Sequence, residues 1–240
     1  MEKKGTAMRF DISKRIPKEN MTERVMQVMK DFDMTYEHSN ERFFGDIDID
    51  GKEWSVGLIV GGSGTGKSTI AKELFAEGYV KGGEGYTSSS VLDDMPNSVS
   101  LQEIELAFTS VGFASPPSWL KPYEVLSTGE KMRVDLARAI LTDMSLVCFD
   151  EFTSVVDREI AKTASLAIQK AIRKTSKRFV AVSCHRDIIE WLMPDWIYDT
   201  DAKSFFGLGA LKSPTLELTS IELTTAIRNK CGRYLGSITI

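Results

Sequence analysis

The sequence predicts an α/β protein: a mixed sheet with a parallel core, an antiparallel β edge and a short helical insertion. Three observations point there. Apolar runs of strand length alternate with helical patterns, as crossover-connected parallel strands do. One early stretch, Phe44-Gly45-Asp46-Ile47-Asp48-Ile49, alternates apolar and polar residues and meets an Asp50-Gly51 pair, the signal of an antiparallel hairpin. Finally, a glycine-rich loop at residues 61–68 stands between a strand-like run and a helix-like one.

Along the chain, residues 21–34 carry Met21, Val25, Val28 and Met29 at helical spacing, followed by Phe32, which reads as an amphipathic helix outside the core. The run at 54–60 is continuously apolar, as a strand buried on both faces would be. Similar runs stand at 145–149, 179–183 and 196–198, separated by helical patterns at 67–75, 129–141 and 160–174. Between the first two strands lies a different segment. It holds a helix with Leu101, Ile104, Phe108 and Val111 on one face, then Pro116, Pro117 and Pro122. The expected division is a helical extension over 1–35, a main domain over 36–205 and a tail over 206–240. The helical insertion covers about 82–141 when the helix at 129–141 is counted with it.

With 240 residues, 42% of them hydrophobic and 27% charged, the chain is of ordinary globular composition and large enough for one or two domains. No apolar stretch approaches the ~20 residues of a bilayer span, and the N-terminus has no apolar signal core. A soluble, cytoplasmic chain is expected. Thirty basic against 34 acidic residues give a net charge of −4, which disfavours sequence-independent nucleic-acid binding. Arg133, Arg138, Arg173, Lys174, Lys177 and Arg178 could still form a basic face, although a solvated surface is the plainer reading. Cys148, Cys184 and Cys231 lack metal-ligand spacing; Cys148 and Cys184 sit in apolar runs and read as small buried hydrophobes.

The chemistry begins at Gly61-Gly62-Ser63-Gly64-Thr65-Gly66-Lys67-Ser68, which fits G-x-x-x-x-G-K-[ST]. Glycines let successive backbone N–H groups converge on one concave point, and the helix that follows adds the positive end of its dipole. Lys67 then reaches the outer phosphates of a nucleotide, and the Ser68 hydroxyl, with Thr69 beside it, enters the Mg²⁺ environment. A second run, Leu146-Val147-Cys148-Phe149-Asp150-Glu151, ends in two acids. Asp150 at that strand end is placed for the metal, and Glu151 to polarise an attacking water. His185 follows the third apolar run; capping or surface exposure is its plainer reading when taken alone.

Leu126-Ser127-Thr128-Gly129-Glu130 precedes a helix, and capping alone would explain it. The order of segments says more. A phosphate loop, then L-S-x-G-E opening a helix, then an apolar strand ending Asp-Glu, then Ser154-Val155-Val156-Asp157, then a histidine resembles the ABC ATPase superfamily over residues 36–205. The resemblance implies a P-loop ATPase with ATP and Mg²⁺ as ligands. It makes residues 61–68 the Walker A loop, Asp150 the Walker B acid and Glu151 the catalytic glutamate. Ser127, Gly129 and Glu130 become the signature, Asp157 the D-loop aspartate and His185 the switch histidine. It also implies an ATP-dependent head-to-tail homodimer, each ATP lying between one subunit's Walker A loop and the other's signature. Ser127 and Gly129 at a helix N-terminus fit such an arrangement as an anion site with no ligand of its own in the monomer.

Two departures stand out. Only 59 residues separate Lys67 from Ser127, fewer than in transporter ATPases, and no glutamine stands where the Q-loop is expected. Asp93 or Asp94 takes the metal-linked place there. Tyr36 fits the adenine-stacking position, with Phe43 and Phe44 as alternatives. Stretches around 52–60, 111–120 and 127–138 are similar to soluble prokaryotic and phage ABC ATPases, whose relatives often carry a fused acetyltransferase-like domain. The 34 residues after Phe206 are too few for one. The expectation is therefore a soluble Mg-ATP-dependent ATPase with a non-transport task. A transporter subunit, or a slow ATP-gated switch acting on nucleic acid or protein, remains the alternative.

Overall fold

A computed structural model describes residues 8–14, 21–35 and 41–207. Strand β1 (Met8–Lys14) is followed by helix α1 (Glu23–Asp31) and strand β2 (Glu41–Ile47). The central sheet begins with β3 (Val56–Val60), and α2 (Lys67–Leu74) leads from it to β4 (Tyr79–Lys81). The insertion contributes α3 (Leu101–Ser110) and α4 (Pro116–Trp119), then α5 (Thr128–Leu141) runs into β5 (Leu146–Asp150). Helix α6 (Arg158–Ile172), β6 (Arg178–Ser183), α7 (Ile188–Leu192), β7 (Trp196–Asp199) and β8 (Ser204–Phe206) complete the order.

Six strands form the main sheet in the order β4-β5-β6-β3-β7-β8, parallel except for β8, which closes one edge antiparallel to β7. Every residue of β3 is buried, as expected of a central strand covered on both faces. Its side chains alternate between two cores. Val56, Leu58 and Val60 pack with Phe108, Leu136, Ile168 and Phe179 under α3, α5 and α6. Ile59 faces the other way, toward Ile70, Phe75, Trp196 and Tyr198 under α2. Each such large apolar side chain contributes about 1.5–3 kcal/mol by leaving water.

The hairpin expected around Asp50-Gly51 is corrected. A turn does form, with Gly51 at φ 68°, but β2 does not pair with β3. Both edges of β3 are taken, by β6 and β7, so no hydrogen-bonding edge remains for β2. Instead β2 pairs antiparallel with β1, Phe10 opposite Gly45 and Ile12 opposite Phe43. The segment expected to be only a helical extension thus also supplies a strand. Its helix does form over Glu23–Asp31, capped by Thr22, with no buried residue.

In α3, Ile104 and Phe108 are buried, and Val111 at its C-cap joins them, but Leu101 is exposed in the first turn. Cys148 is buried as expected; Cys184 is exposed, because β6 has ended at Ser183. Cys231, His38, Tyr36 and the tail from 208 onward lie outside the described residues.

Candidate nucleotide-binding site

The carboxyl ends of β3, β5 and β6 converge on one side of the sheet, where ligand crevices of open α/β sheets form. A cavity of about 500 Å³ opens there. Its walls are the loop after β3 (Ser63, Gly64, Gly66, Lys67, Ser68, Thr69), the end of β5 (Asp150, Glu151) and the end of β6 (Ser183, Cys184). The two motifs that sequence reading placed 82 positions apart are therefore neighbours: the Ser68 hydroxyl donates to Asp150 Oδ1 at 3.0 Å.

The loop is shaped to present its N–H groups. Gly66 is the N-cap of α2, left-handed at φ 87°, and no side chain caps the helix. The first intrahelical bond is Ile70 N–H to the Gly66 carbonyl, so the N–H groups of Lys67, Ser68 and Thr69 have no helical acceptor. A Cβ on Gly66 would come within 2.3 Å of the Phe43 ring, which explains glycine there. Lys67 Nζ reaches back across the loop to the Gly62 carbonyl. Thr65 Oγ1 bonds the same carbonyl at 2.9 Å and Thr200 Oγ1 at 2.6 Å, tying the loop to the end of β7.

Two backbone positions after β5 carry strain. Glu151 (φ 55°) and Thr153 (φ 63°) are non-glycine residues in the left-handed region, each costing of order 1–3 kcal/mol. Phe152 between them is fully buried, and its N–H bonds the Val182 carbonyl at 2.8 Å. The anchored phenylalanine holds the turn that keeps Glu151 exposed in the cavity wall.

Asp150, almost wholly buried, has a second partner that sequence reasoning missed. Its Oδ2 accepts a hydrogen bond from the Tyr79 hydroxyl on β4. Burial, then the neighbouring Asp150, pushes the Tyr79 hydroxyl well above the usual phenol range, so it stays a donor. The loop is also supported from β7. Asp201 accepts from the Gly62 N–H at 3.0 Å and from Arg186 at 2.7 Å, and Arg186 also pairs with Asp199. Arg186 holds the Asp199 carboxyl below its ordinary range.

The signature segment lies elsewhere. Ser127 caps α5 in a capping box: its Oγ accepts from Glu130 N–H, and Glu130 accepts from Ser127 N–H at 2.9 Å and Oγ at 2.7 Å. Ser118 adds a third bond to Glu130 at 2.7 Å. Together the Ser127 and Ser118 bonds pull the Glu130 carboxyl down to about 2. The box satisfies two of the four first-turn donors of α5 and leaves the Thr128 and Gly129 N–H groups without a helical acceptor. Gly129 is buried against α6, where a Cβ would meet Ile160 at 2.7 Å. None of Ser127, Gly129, Glu130 or Asp157 lines the phosphate-loop cavity. Asp157 caps α6 by accepting from Ile160 N–H at 2.9 Å.

Other expected residues separate as well. His185 follows cavity-wall Cys184 but does not itself line the cavity; its N–H bonds Ser183 Oγ at 3.1 Å. Asp93 is not brought to Ser68 and Asp150. It accepts from Ser90 Oγ at 2.6 Å and lines a different cavity of about 590 Å³, and Asp94 there accepts from the Thr87 and Ser88 N–H groups. Of the three aromatic candidates, Phe43 stands in the phosphate-loop cavity, Phe44 faces Arg42 and Lys203, and Tyr36 lies outside the described residues.

Four of the six candidate basic residues are engaged within the chain. Arg138 bonds the Glu84 and Gly85 carbonyls, Arg173 bonds Asp195, Lys177 bonds the Ile140 and Thr142 carbonyls, and Arg178 covers Trp54. Among the described residues no helix is long and apolar enough to cross a membrane, and no cluster of three His, Cys, Asp or Glu could cage a metal. A divalent ion would rely on Ser68, Asp150 and phosphate oxygens, as Mg²⁺ commonly does.

No protein-family model matches the chain. It is 24% identical to the energy-coupling factor transporter ATP-binding protein EcfA1 of Leuconostoc mesenteroides, over 88% of this chain and 95% of that protein. It is also 24% identical to a putative ABC transporter ATP-binding protein of Bacillus anthracis, over 66% of this chain but only 36% of that one. Among solved structures, a dimeric bacterial ABC transporter cassette aligns with TM-score 0.52 at 16% identity, covering 66% of this chain and 87% of that chain. CbiO1 of Clostridium perfringens, part of an ABC transporter complex, aligns with TM-score 0.51 at 19% identity, covering 65% and 76%. Together with the motif order and the pairing of the phosphate loop with Asp150, these similarities are to ABC ATPase cassettes, whose P-loop fold the chain shares.

Proposed function

We propose that this chain binds Mg-ATP in the phosphate-loop cavity and hydrolyses it at two composite sites of a head-to-tail homodimer, driving a task other than transport. One observation carries the reading. Lys67, Ser68, Asp150 and Glu151 share a single cavity, whereas Ser127, Gly129 and Asp157 stand outside it in the same chain. A second copy supplies the segment that the first cannot bring to its own site.

The residues divide the work. The N–H groups of Lys67, Ser68 and Thr69 and the ammonium of Lys67 bind the phosphates and neutralise charge as the γ-phosphoryl group transfers. Ser68 and Asp150 would hold Mg²⁺, which would neutralise negative charge on the phosphates. Glu151 orients the attacking water and accepts its proton. Phe43 stacks on the adenine, since it is the aromatic that faces the cavity among the described residues. His185 moves onto the transferring group as the two subunits close, and Ser127 completes the site from the partner.

Specific observations favour a second reading, a transporter's ATP-binding subunit. The relatives above are transporter ATP-binding proteins. The region after α3 also exposes Leu120 and Val125, with Leu106 exposed on α3 itself, where a membrane subunit would dock. Hydrolysis is tested with the purified chain. Phosphate release should require Mg-ATP and fall by two orders of magnitude or more in Glu151→Gln, in line with the loss of a general base. Equal rates in the two proteins would remove Glu151 from the chemistry. A stimulation of the wild-type rate by membrane vesicles alone would favour the transporter reading.

A further inference from the structure

From the geometry we infer that Tyr79 is a positioning residue for the metal: its hydroxyl fixes the Asp150 carboxylate so that the other oxygen faces Ser68 and the Mg²⁺ position. The inference rests on the nucleotide-site reading above and adds to it a residue outside every motif quoted for the family resemblance.

Three observations carry it. First, the two Asp150 oxygens have separate partners: Oδ1 accepts from Ser68 Oγ at 3.0 Å, and Oδ2 accepts from the Tyr79 hydroxyl. A carboxylate held at one oxygen only can turn about its last bond, whereas one held at both cannot. Second, strand register makes the contact unavoidable. β4 pairs parallel with β5, Tyr79 opposite Cys148 and Lys81 opposite Asp150. Side chains two residues apart on a strand share a face about 6.6 Å apart. Tyr79 therefore shares a face with Cys148 and Asp150, and a tyrosine ring is long enough to bring its hydroxyl up to the Asp150 carboxylate. A shorter residue at 79 would stop beside Cys148. Third, the ring is held in place. It packs beside the core under α2, with Lys72 Nζ 5.1 Å from its centroid, and Lys72 belongs to the helix that carries Ser68.

Asp150 lies almost wholly buried, so an unpaired Oδ2 would carry a desolvation cost that the tyrosine hydroxyl removes. Phenylalanine at 79 keeps the ring, the packing and the lysine contact and deletes only this bond. Its expected effect is therefore on the metal rather than on the nucleotide.

The experiment compares wild-type and Tyr79→Phe full-length chains, each in the Glu151→Gln background so that bound ATP persists. Fluorescent-ATP affinity is measured in EDTA, and Mn²⁺ affinity of the ATP-loaded proteins by electron paramagnetic resonance. Expected are equal ATP affinities in EDTA and a Mn²⁺ affinity about tenfold weaker in Tyr79→Phe, the size of one charge-assisted hydrogen bond. Equal Mn²⁺ affinities would overturn the inference, and so would a change confined to melting temperature, the mark of a packing role. Failure of the wild-type background to bind ATP with Mn²⁺ would overturn the nucleotide-site reading itself, which is a separate result.

Discussion

The chain has two helix N-termini that sequence motifs mark for phosphate, and they are finished in opposite ways. At α2 the cap is Gly66, left-handed and without a side chain, so the first-turn N–H groups remain available. At α5 the cap is Ser127, and the Ser127–Glu130 box turns two of that helix's first-turn donors back on itself. Equal dipoles thus give unequal sites. The open terminus sits between strand ends, beside Asp150 and Glu151, in the wall of the cavity proposed for the nucleotide. The capped terminus has part of its donor set satisfied within the chain, and in the proposed dimer it would bring Ser127 to the partner's cavity.

Substitutions at the two termini should break this contrast in graded fashion. The largest effect is expected for Lys67→Ala, which removes the ammonium that the phosphate loop itself carries. Mg-ATP affinity measured by calorimetry should fall at least about a hundredfold, as for loss of charge-assisted phosphate bonds. Affinity within a factor of two of wild type would exclude the loop as the phosphate site.

Next is Gly66→Ala. A Cβ there meets the Phe43 ring and must adopt φ 87°, costing about 1–2 kcal/mol of stability. For a chain of this size that is a melting temperature lower by roughly 2–8 °C. A melting temperature at or above wild type would show that the loop tolerates a side chain there.

The smallest effect belongs to the capped terminus. Ser127→Ala should cost about 1 kcal/mol while leaving ATP affinity of the monomer unchanged. The same box predicts a pH dependence. Because the folded-state Glu130 carboxyl titrates near 2, below its ordinary 4.5, its stabilisation is complete above about pH 4.5 and is lost as pH falls toward 2. Denaturant midpoints of wild type and Glu130→Gln should accordingly converge as pH is lowered through that window. A constant gap would mean that the Glu130 charge contributes nothing.

Much of this was legible in the sequence, for identifiable reasons. The phosphate loop, the Asp150-Glu151 strand end and the parallel core depend on local patterns: glycine spacing, and apolar runs of strand length. The partner of β2 does not. Asp50-Gly51 does make a turn, yet pairing is decided by which edges are free, and β3 has none. A signal for β1 existed in the alternation of Met8, Phe10 and Ile12, which face the core under α2. The three-residue strands β4 and β8 are too short to show a period, and with β4 went Tyr79. Asp93 was misplaced because an acid near an expected glutamine says nothing about where its loop goes; Ser90 claims it instead. Of the three aromatics compatible with the sequence, Phe43 lines the phosphate-loop cavity, a placement set by β2 pairing with β1 and not by any local pattern, while Tyr36 lies outside the described residues.

The central claim is that one chain holds the nucleotide and a second completes the site. The direct test is the solution mass of Glu151→Gln by light scattering, with and without Mg-ATP. The account predicts 26.7 kDa without nucleotide and twice that mass with it, and no doubling when Ser127→Arg is added. A single-chain mass under both conditions, with ATP demonstrably bound, would contradict the homodimer and assign the missing half-site to a different protein.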